Sequence, residues 1–149
     1  MQSHSRTTTE SSTAVKAVVT TLAVGHLAAT VWHGVAHQRL AVALTPTQNA
    51  FVLSVILVVP IVAAALVWTR HVGIGIGLFS LSMLGSFLFG VLYHFVWVSA
   101  DHVKHLPSGS AGDRSAFVAS AGLLAFLELV SAIYGALSLL RRSNAKPPP

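Results

Sequence analysis

The chain has 149 residues, of which 54% are hydrophobic and only 9% are charged. A water-soluble domain carries roughly 25% charged residues, so this composition excludes a soluble fold and predicts a protein that lies in a lipid bilayer. The net charge of +5 comes from basic residues that lie mainly in tails and loops, where they orient a membrane protein and do not indicate nucleic-acid binding. The chain has no cysteine, so a bound metal would need histidine, carboxylate, backbone or water ligands.

Four apolar segments lie between two polar tails. Each is long enough for the roughly 20 residues that a helix needs to cross the hydrocarbon core, and the short connections favour an up-down bundle. The expected spans are residues 17–37, 50–68, 72–100 and 115–140, within a transmembrane domain of residues 14–140. Residues 1–13 are predicted to be a disordered tail and residues 141–149 a basic, proline-rich tail. The predicted fold is an all-α bundle of four transmembrane helices.

The distribution of basic residues predicts the orientation of this bundle. The side that holds both termini carries six of them: Arg6, Lys16, Arg70, Arg141, Arg142 and Lys146. The opposite side carries three: Arg39, Lys104 and Arg114. The positive-inside rule therefore places both termini in the cytoplasm.

The first apolar segment carries an unusual polar stripe. Steps of four, three and four residues place four polar side chains on one helix face: His26, Thr30, His33 and His37. That face is too polar for lipid, so we expect it to point into the bundle. His33 and His37, at i and i+4, can reach one metal ion, although this short spacing also arises by chance.

A second group of polar residues lies where the third apolar segment ends. That segment and the loop after it hold four candidate ligands: His94, Asp101, His102 and His105. Helix rise places His94 and His33 at similar depths, so His33, His37 and His94 are predicted to form the core of an outward-facing site. The other three candidates are predicted to lie at its mouth.

Two interpretations of these histidines remain open. They are either polar side chains at the membrane interface that hold no ligand, or ligands of a transition metal. Neutral imidazoles suit copper, zinc or iron. Because His33 and His94 lie on different helices, they could also be the two axial ligands of a b-type haem.

The fourth apolar segment places one carboxylate, Glu128, near the middle of the bilayer. A charged carboxylate there costs several kcal/mol unless it is protonated or paired. His26 lies at a similar depth, so a Glu128–His26 hydrogen bond is predicted. This bond would either fix the register of the helices or belong to a proton relay or ion path.

Two stretches of the sequence resemble a known group of proteins. Residues 43–70, ALTPTQNAFVLSVILVVPIVAAALVWTR, and residues 89–107, FGVLYHFVWVSADHVKHLP, resemble small, uncharacterised four-span bacterial membrane proteins. The layout is also similar to that of DoxX-like proteins in size and number of spans. The resemblance implies a multi-pass bundle in a bacterial inner membrane and brings no activity or site residues.

These observations predict a small integral membrane protein with a histidine-rich site in a redox or metal-handling role. No catalytic residue is predicted, because no nucleophile has a plausible base and orienting group beside it. The alternative is a cofactor-free accessory or structural subunit of a membrane complex. Its glycine-rich helix faces, such as Gly73 and Gly77, would then pack against a membrane-protein partner or a second copy. Proton-coupled transport through His26 and Glu128 is a third hypothesis.

Overall fold

The computed structural model describes the backbone of residues 3–144 and the side chains of residues 13–144. Every regular element in that part of the chain is helical. Four helices are long and apolar enough to cross a membrane: α1 (Ser3–Arg39, with Thr13–Arg39 as the candidate span), α2 (Pro46–Leu66), α3 (Val72–Val96) and α4 (Ala111–Asn144). The predicted all-α fold with four membrane-spanning helices is confirmed, and the cytoplasmic location of the termini stays a prediction.

The helices differ from the predicted spans mainly at their ends. α3 stops at Val96, four residues before the predicted end, because Trp97 adopts an extended backbone with φ −85° and ψ 129°. α4 begins at Ala111 and ends at Asn144, beyond the predicted span of residues 115–140 at both ends. α1 begins at Ser3 and α4 ends at Asn144, each inside a predicted tail, while residues 1, 2 and 145–149 lie outside the described part of the chain, so the assignment of both tails stays a prediction.

The start and the irregular middle of α2 both have causes in its sequence. Thr45 accepts a hydrogen bond from the Gln48 N–H at 3.2 Å, and the Gln48 side chain accepts one from the Thr45 N–H at 2.8 Å. This reciprocal cap, with Pro46 in the first turn, starts the helix. The helix then widens into π-helical turns over Val52–Val58, just before Pro60. Proline lacks an N–H and its ring clashes with the carbonyl four residues earlier, so a regular α-helix is disfavoured here.

The bundle buries a small apolar core and exposes many large apolar side chains. α4 packs against α1 and α3, and α2 packs mainly on α3. The main core cluster comprises Val19, Ala23, Ala63, Val67, Ile76, Phe79, Met83 and Ala132. Each helix also exposes large apolar side chains, among them Val24, Ile61, Leu81 and Phe126. Such surfaces are consistent with contact with the lipid bilayer.

A glycine allows α2 and α3 to pack closely beside their short connection. A Cβ on Gly75 would lie 2.8 Å from the Val67 nitrogen and 2.9 Å from the Ala63 carbonyl oxygen. Neither backbone atom can move aside, so this position excludes a side chain. Gly73 has no neighbouring atom within 4 Å of such a Cβ, and Gly77 meets one side chain at 3.9 Å. Among the glycines at residues 73–77, the one that packs closely against another helix is therefore Gly75, between the two glycines that the sequence indicated.

Candidate metal centre

Three histidines meet at the end of the bundle where α1 and α3 stop. His33 Nε2 lies 3.2 Å from His94 Nε2 and 3.2 Å from His37 Nε2. One nitrogen of each ring lies within 4.8 Å of the other two, which makes this the one group in residues 13–144 that could hold a metal through three such side chains. His33 and His94 are buried and His37 is partly buried. We call these three residues the histidine triad.

The local structure of three helices explains why the triad converges. The two histidines of α1 are one helical turn apart and share a face. His94 joins them from the last turn of α3, Leu92–Val96, which is π-helical and ends with the Trp97 N–H bonded to the Leu92 carbonyl at 2.7 Å. Phe117 of α4 is fully buried and packs against all three imidazoles, with ring centroids 4.7, 4.9 and 5.4 Å away. The triad thus needs α1, α3 and α4 together.

Backbone carbonyls fix the tautomers of two triad imidazoles. His94 Nδ1 lies 3.0 Å from the Asp101 carbonyl oxygen, and His37 Nδ1 lies 3.3 Å from the Val42 carbonyl oxygen. A carbonyl oxygen only accepts, so each Nδ1 carries the hydrogen and donates it. Each Nε2 therefore presents its lone pair to the other rings of the triad.

The third imidazole is held by a hydroxyl group. His33 Nδ1 lies 2.8 Å from Ser120 Oγ, and Ser120 Oγ donates its own hydrogen to the Phe117 carbonyl at 3.1 Å. While Ser120 donates to Phe117, it accepts the Nδ1–H of His33, and all three Nε2 atoms direct lone pairs towards one another. If Ser120 instead donates to His33 Nδ1, the hydrogen of that ring lies on Nε2.

This arrangement fits a single tetrahedral metal ion. Zinc-bound imidazole nitrogens lie ~2.0–2.1 Å from the ion, so two of them on one tetrahedral ion are about 3.3 Å apart. His33 Nε2 lies 3.2 Å from the Nε2 atoms of both His37 and His94, close to that value, and the three ligand nitrogens all lie within 4.8 Å of one another. Facing lone pairs repel in an interior of low dielectric constant, and a cation between them removes the repulsion. The Nδ1–H bonds on the outer side are those that metal-bound histidines usually make.

A b-type haem does not fit the same residues. Its two axial imidazoles must lie on opposite faces of the porphyrin. The Nε2 atoms of His33 and His94 are only 3.2 Å apart, and the His37 ring lies beside both, with centroids 4.7 and 5.9 Å away. No space for the macrocycle remains between the rings. The geometry favours an ion over the haem that the sequence also allowed.

Asp101 lies next to the triad without belonging to it. Its side chain is buried, and Oδ1 is 3.9 Å from His37 Nδ1. Oδ2 is buried without a hydrogen-bond partner. Burial raises the pKa of the Asp101 carboxyl, and the neighbouring His94 partly opposes that rise.

The two remaining predicted ligands form a separate pair in the loop. His102 Nδ1 and His105 Nδ1 lie 3.1 Å apart, and His102 Nδ1 also accepts the Lys104 N–H at 3.1 Å. The backbone bond uses the lone pair of that His102 nitrogen, so the pair holds the shape of the loop. The structure does not bring His102 or His105 into the triad.

A second buried polar contact joins α1 and α4 deeper in the bundle. His26 Nε2 lies 3.1 Å from Glu128 Oε1, and the two residues are only 1% and 3% exposed. His26 precedes His33 by seven residues, or roughly 10 Å along the helix. The predicted Glu128–His26 hydrogen bond is therefore present in the structure, on the same interior face as the triad.

Two residues of the centre were missed by sequence reasoning. Ser120 lies eight residues before Glu128, and this spacing places both on one face of α4. That spacing was a usable signal for Ser120. Phe117 has no comparable signal, because apolar residues occur on every face of α4.

Comparison with protein-family models, with curated proteins and with solved structures finds no match to this chain. The resemblance to four-span bacterial proteins and to the DoxX-like layout therefore stays a prediction. What is known of the centre comes from its own geometry: a buried histidine cluster that could bind metal, inside a bundle of four apolar helices.

Proposed function

We propose that this protein is an integral membrane metalloprotein that binds one transition-metal ion per chain through His33, His37 and His94. The observation that carries the proposal is the convergence of three Nε2 atoms whose opposite nitrogens are each hydrogen-bonded to an oxygen that can accept. Three neutral imidazoles suit zinc, copper or iron. We propose a redox role if the ion is copper or iron and a metal-handling role if it is zinc.

Three protein ligands leave a position open on a four-coordinate ion. An ion held there would polarise or exchange electrons with whatever occupies that position. The protein's own contribution is to orient the three rings through the oxygens bonded to their Nδ1 atoms.

The competing description of the triad contains no metal. In it, Ser120 donates to His33 Nδ1, and a single Nε2–H of His33 is shared between His37 and His94, both 3.2 Å away. The histidines would then only join the helices, as expected for a cofactor-free accessory subunit. Metal content distinguishes the two descriptions directly.

The first test is elemental analysis of the full chain, purified in mild detergent without a polyhistidine tag, before and after incubation with Zn²⁺ or Cu²⁺. The expected result is close to one ion per chain after dialysis, with a rise in the unfolding temperature on loading, because an ion that binds only the folded state stabilises it. A protein that is isolated without metal and takes up none on incubation would refute the proposal and favour the cofactor-free subunit.

We also propose that the chain lies in a bacterial inner membrane with both termini in the cytoplasm, which puts the triad near the outer face. The support is the excess of basic residues on the side of the termini. Because the chain has no native cysteine, single cysteines can report its orientation. In intact cells a membrane-impermeant maleimide should label Ser108→Cys, in the loop before α4, and leave Ser143→Cys unlabelled. The reverse pattern would invert the assigned orientation.

A further inference from the structure

A cavity of about 460 Å³ extends from the histidine triad towards Glu128. This volume lies within the range of sites that bind small molecules. Its walls are largely apolar side chains: Ile56, Phe89, Ala121, Leu124 and Ala125. Exposed residues of α1, α2 and the connection between them also line it, among them Gly34, Ala41 and Asn49, so the cavity opens on this side of the bundle.

The cavity has a polar group at each of two ends. At one end are the triad histidines, where a bound ion would have its open position. At the other end is Glu128, whose Oε1 contacts His26 while Oε2 lies next to Gly90. The hydroxyl groups of Thr30 and Ser86 also line the wall, but each donates to a carbonyl of its own helix, at 2.9 and 2.8 Å.

Gly90 shows that the gap between the two ends is short. A Cβ at this position would lie 3.8 Å from Glu128 Oε2 and 3.9 Å from His94 Cδ2. A single position on the cavity wall, Gly90, therefore lies close to both the Glu128 carboxyl and the His94 ring. Because position 90 has no side chain, the space between them is left open.

We propose that this cavity binds an apolar molecule from the bilayer that carries an oxygen at each end of a single ring, the chemistry of an alkylated para-hydroquinone. One oxygen occupies the open position of the metal ion, and the hydroxyl at the other end donates to Glu128 Oε2. The ring lies against the apolar wall, and the alkyl chain leaves through the opening between α1 and α2. This inference rests on the proposed metal site.

Three features favour such a ligand over a water-soluble one. The exposed residues at the opening belong to two candidate membrane spans and to their connection, which allows a molecule to enter from lipid. The apolar walls favour a hydrocarbon body. The two facing polar ends require two polar atoms held apart at a fixed short spacing, which a rigid ring supplies without loss of chain entropy.

The test uses zinc-loaded protein in nanodiscs, because Zn²⁺ has no redox chemistry and leaves the probe unchanged. The probe is decyl-para-hydroquinone, and the matched control ligand is its dimethyl ether, which cannot donate to Glu128. Calorimetry should show saturable binding of the hydroquinone and affinity for the ether lower by up to roughly tenfold, the effect of losing one hydrogen bond. Glu128→Gln should weaken hydroquinone binding similarly while keeping an acceptor for His26.

Substitutions at glycine test the location of the site. Gly90→Leu should abolish probe binding by filling the gap, whereas Gly90→Ala, whose Cβ makes only ordinary contacts, should retain it. Gly122→Leu is the control, because Gly122 is an exposed glycine on α4 with nothing within 4 Å.

Metal content is measured on every sample. Protein with no zinc would overturn the proposed function and this inference together. Zinc-loaded protein that binds no hydroquinone, or binds it equally well with leucine at position 90, would overturn the inference alone.

Discussion

Replacing His94 by alanine is expected to abolish metal binding, with a fall in affinity for Zn²⁺ of more than ~100-fold. The loss should exceed the ~10–100-fold effect of removing an outer hydrogen-bond partner, because His94 supplies a ligand atom. Two imidazoles on α1 remain, and they belong to a single helix, so the ion no longer joins α1 to α3. Competition titration against a zinc chelator of known affinity measures the change.

The matched control for this variant is His71→Ala. His71 is exposed, lies in the short connection between α2 and α3, and contacts only the neighbouring Arg70 through its ring, at 3.2 Å. Its replacement should leave zinc affinity and stoichiometry unchanged. Equal zinc affinity in the His94 and His71 variants would mean that the ion binds elsewhere.

Ser120→Ala should have a zinc affinity between those of the His71 and His94 variants. It keeps all three ligand nitrogens and removes only the acceptor for the His33 Nδ1–H, 2.8 Å away. Zinc affinity should fall by roughly 10-fold, the lower end of the effect of an outer partner. The order of affinities, with Ser120→Ala between wild type and His94→Ala, separates a metal centre from a structural histidine cluster.

Gly75→Val is expected to destabilise the bundle by about 3 kcal/mol or more, a cost at the upper end of that for overpacking a core. A Cβ here would meet the Val67 nitrogen and the Ala63 carbonyl oxygen at less than 3 Å, and backbone atoms of a packed helix do not rotate away as a side chain does. The α2–α3 hairpin must therefore separate. Equilibrium unfolding in detergent micelles, followed by circular dichroism, measures the loss.

Gly73→Val provides a closely matched control, on the same helix and only two residues away. Nothing lies within 4 Å of a Cβ at Gly73, so the same substitution should change the free energy of unfolding by less than about 1 kcal/mol. Equal destabilisation by the two valines would show that the contact at Gly75 does not hold α2 against α3.

The sequence predicted those features that follow from helix periodicity and bilayer thickness. The four spans could be read from length and hydropathy, and the i, i+4 spacing of His33 and His37 placed both on one interior face. Their convergence with His94 was predicted from the similar depths of these residues in the bilayer. The structure agrees, because α1 and α3 run in the same direction and end together. The Glu128–His26 contact followed from the same reasoning about depth.

The features that the sequence left open depend on rotation and on backbone geometry. Which glycine of the run at residues 73–77 faces α2 is set by the rotation of α3 about its axis, and periodicity alone does not fix that rotation. The structure favours a bound ion over a haem because the Nε2 atoms of His33 and His94 lie only 3.2 Å apart, a distance that the sequence does not give. The tautomers depend on carbonyl groups at Val42 and Asp101, and any residue type supplies a carbonyl.

The composition of the triad also has a consequence for how the protein is made. Its ligands come from α1 and α3, 61 residues apart between His33 and His94, and the hydroxyl that orients His33 comes from α4. A nascent chain with only its first spans inserted has no complete set of donors. If the triad binds an ion as proposed, loading must follow insertion of α3, and an ion that then ties α1 to α3 closes a long loop, whose entropy it removes from any partly assembled state. Metal occupancy would thus report that α1 and α3 have come together, and a shortage of metal in the cell would slow the maturation of the bundle.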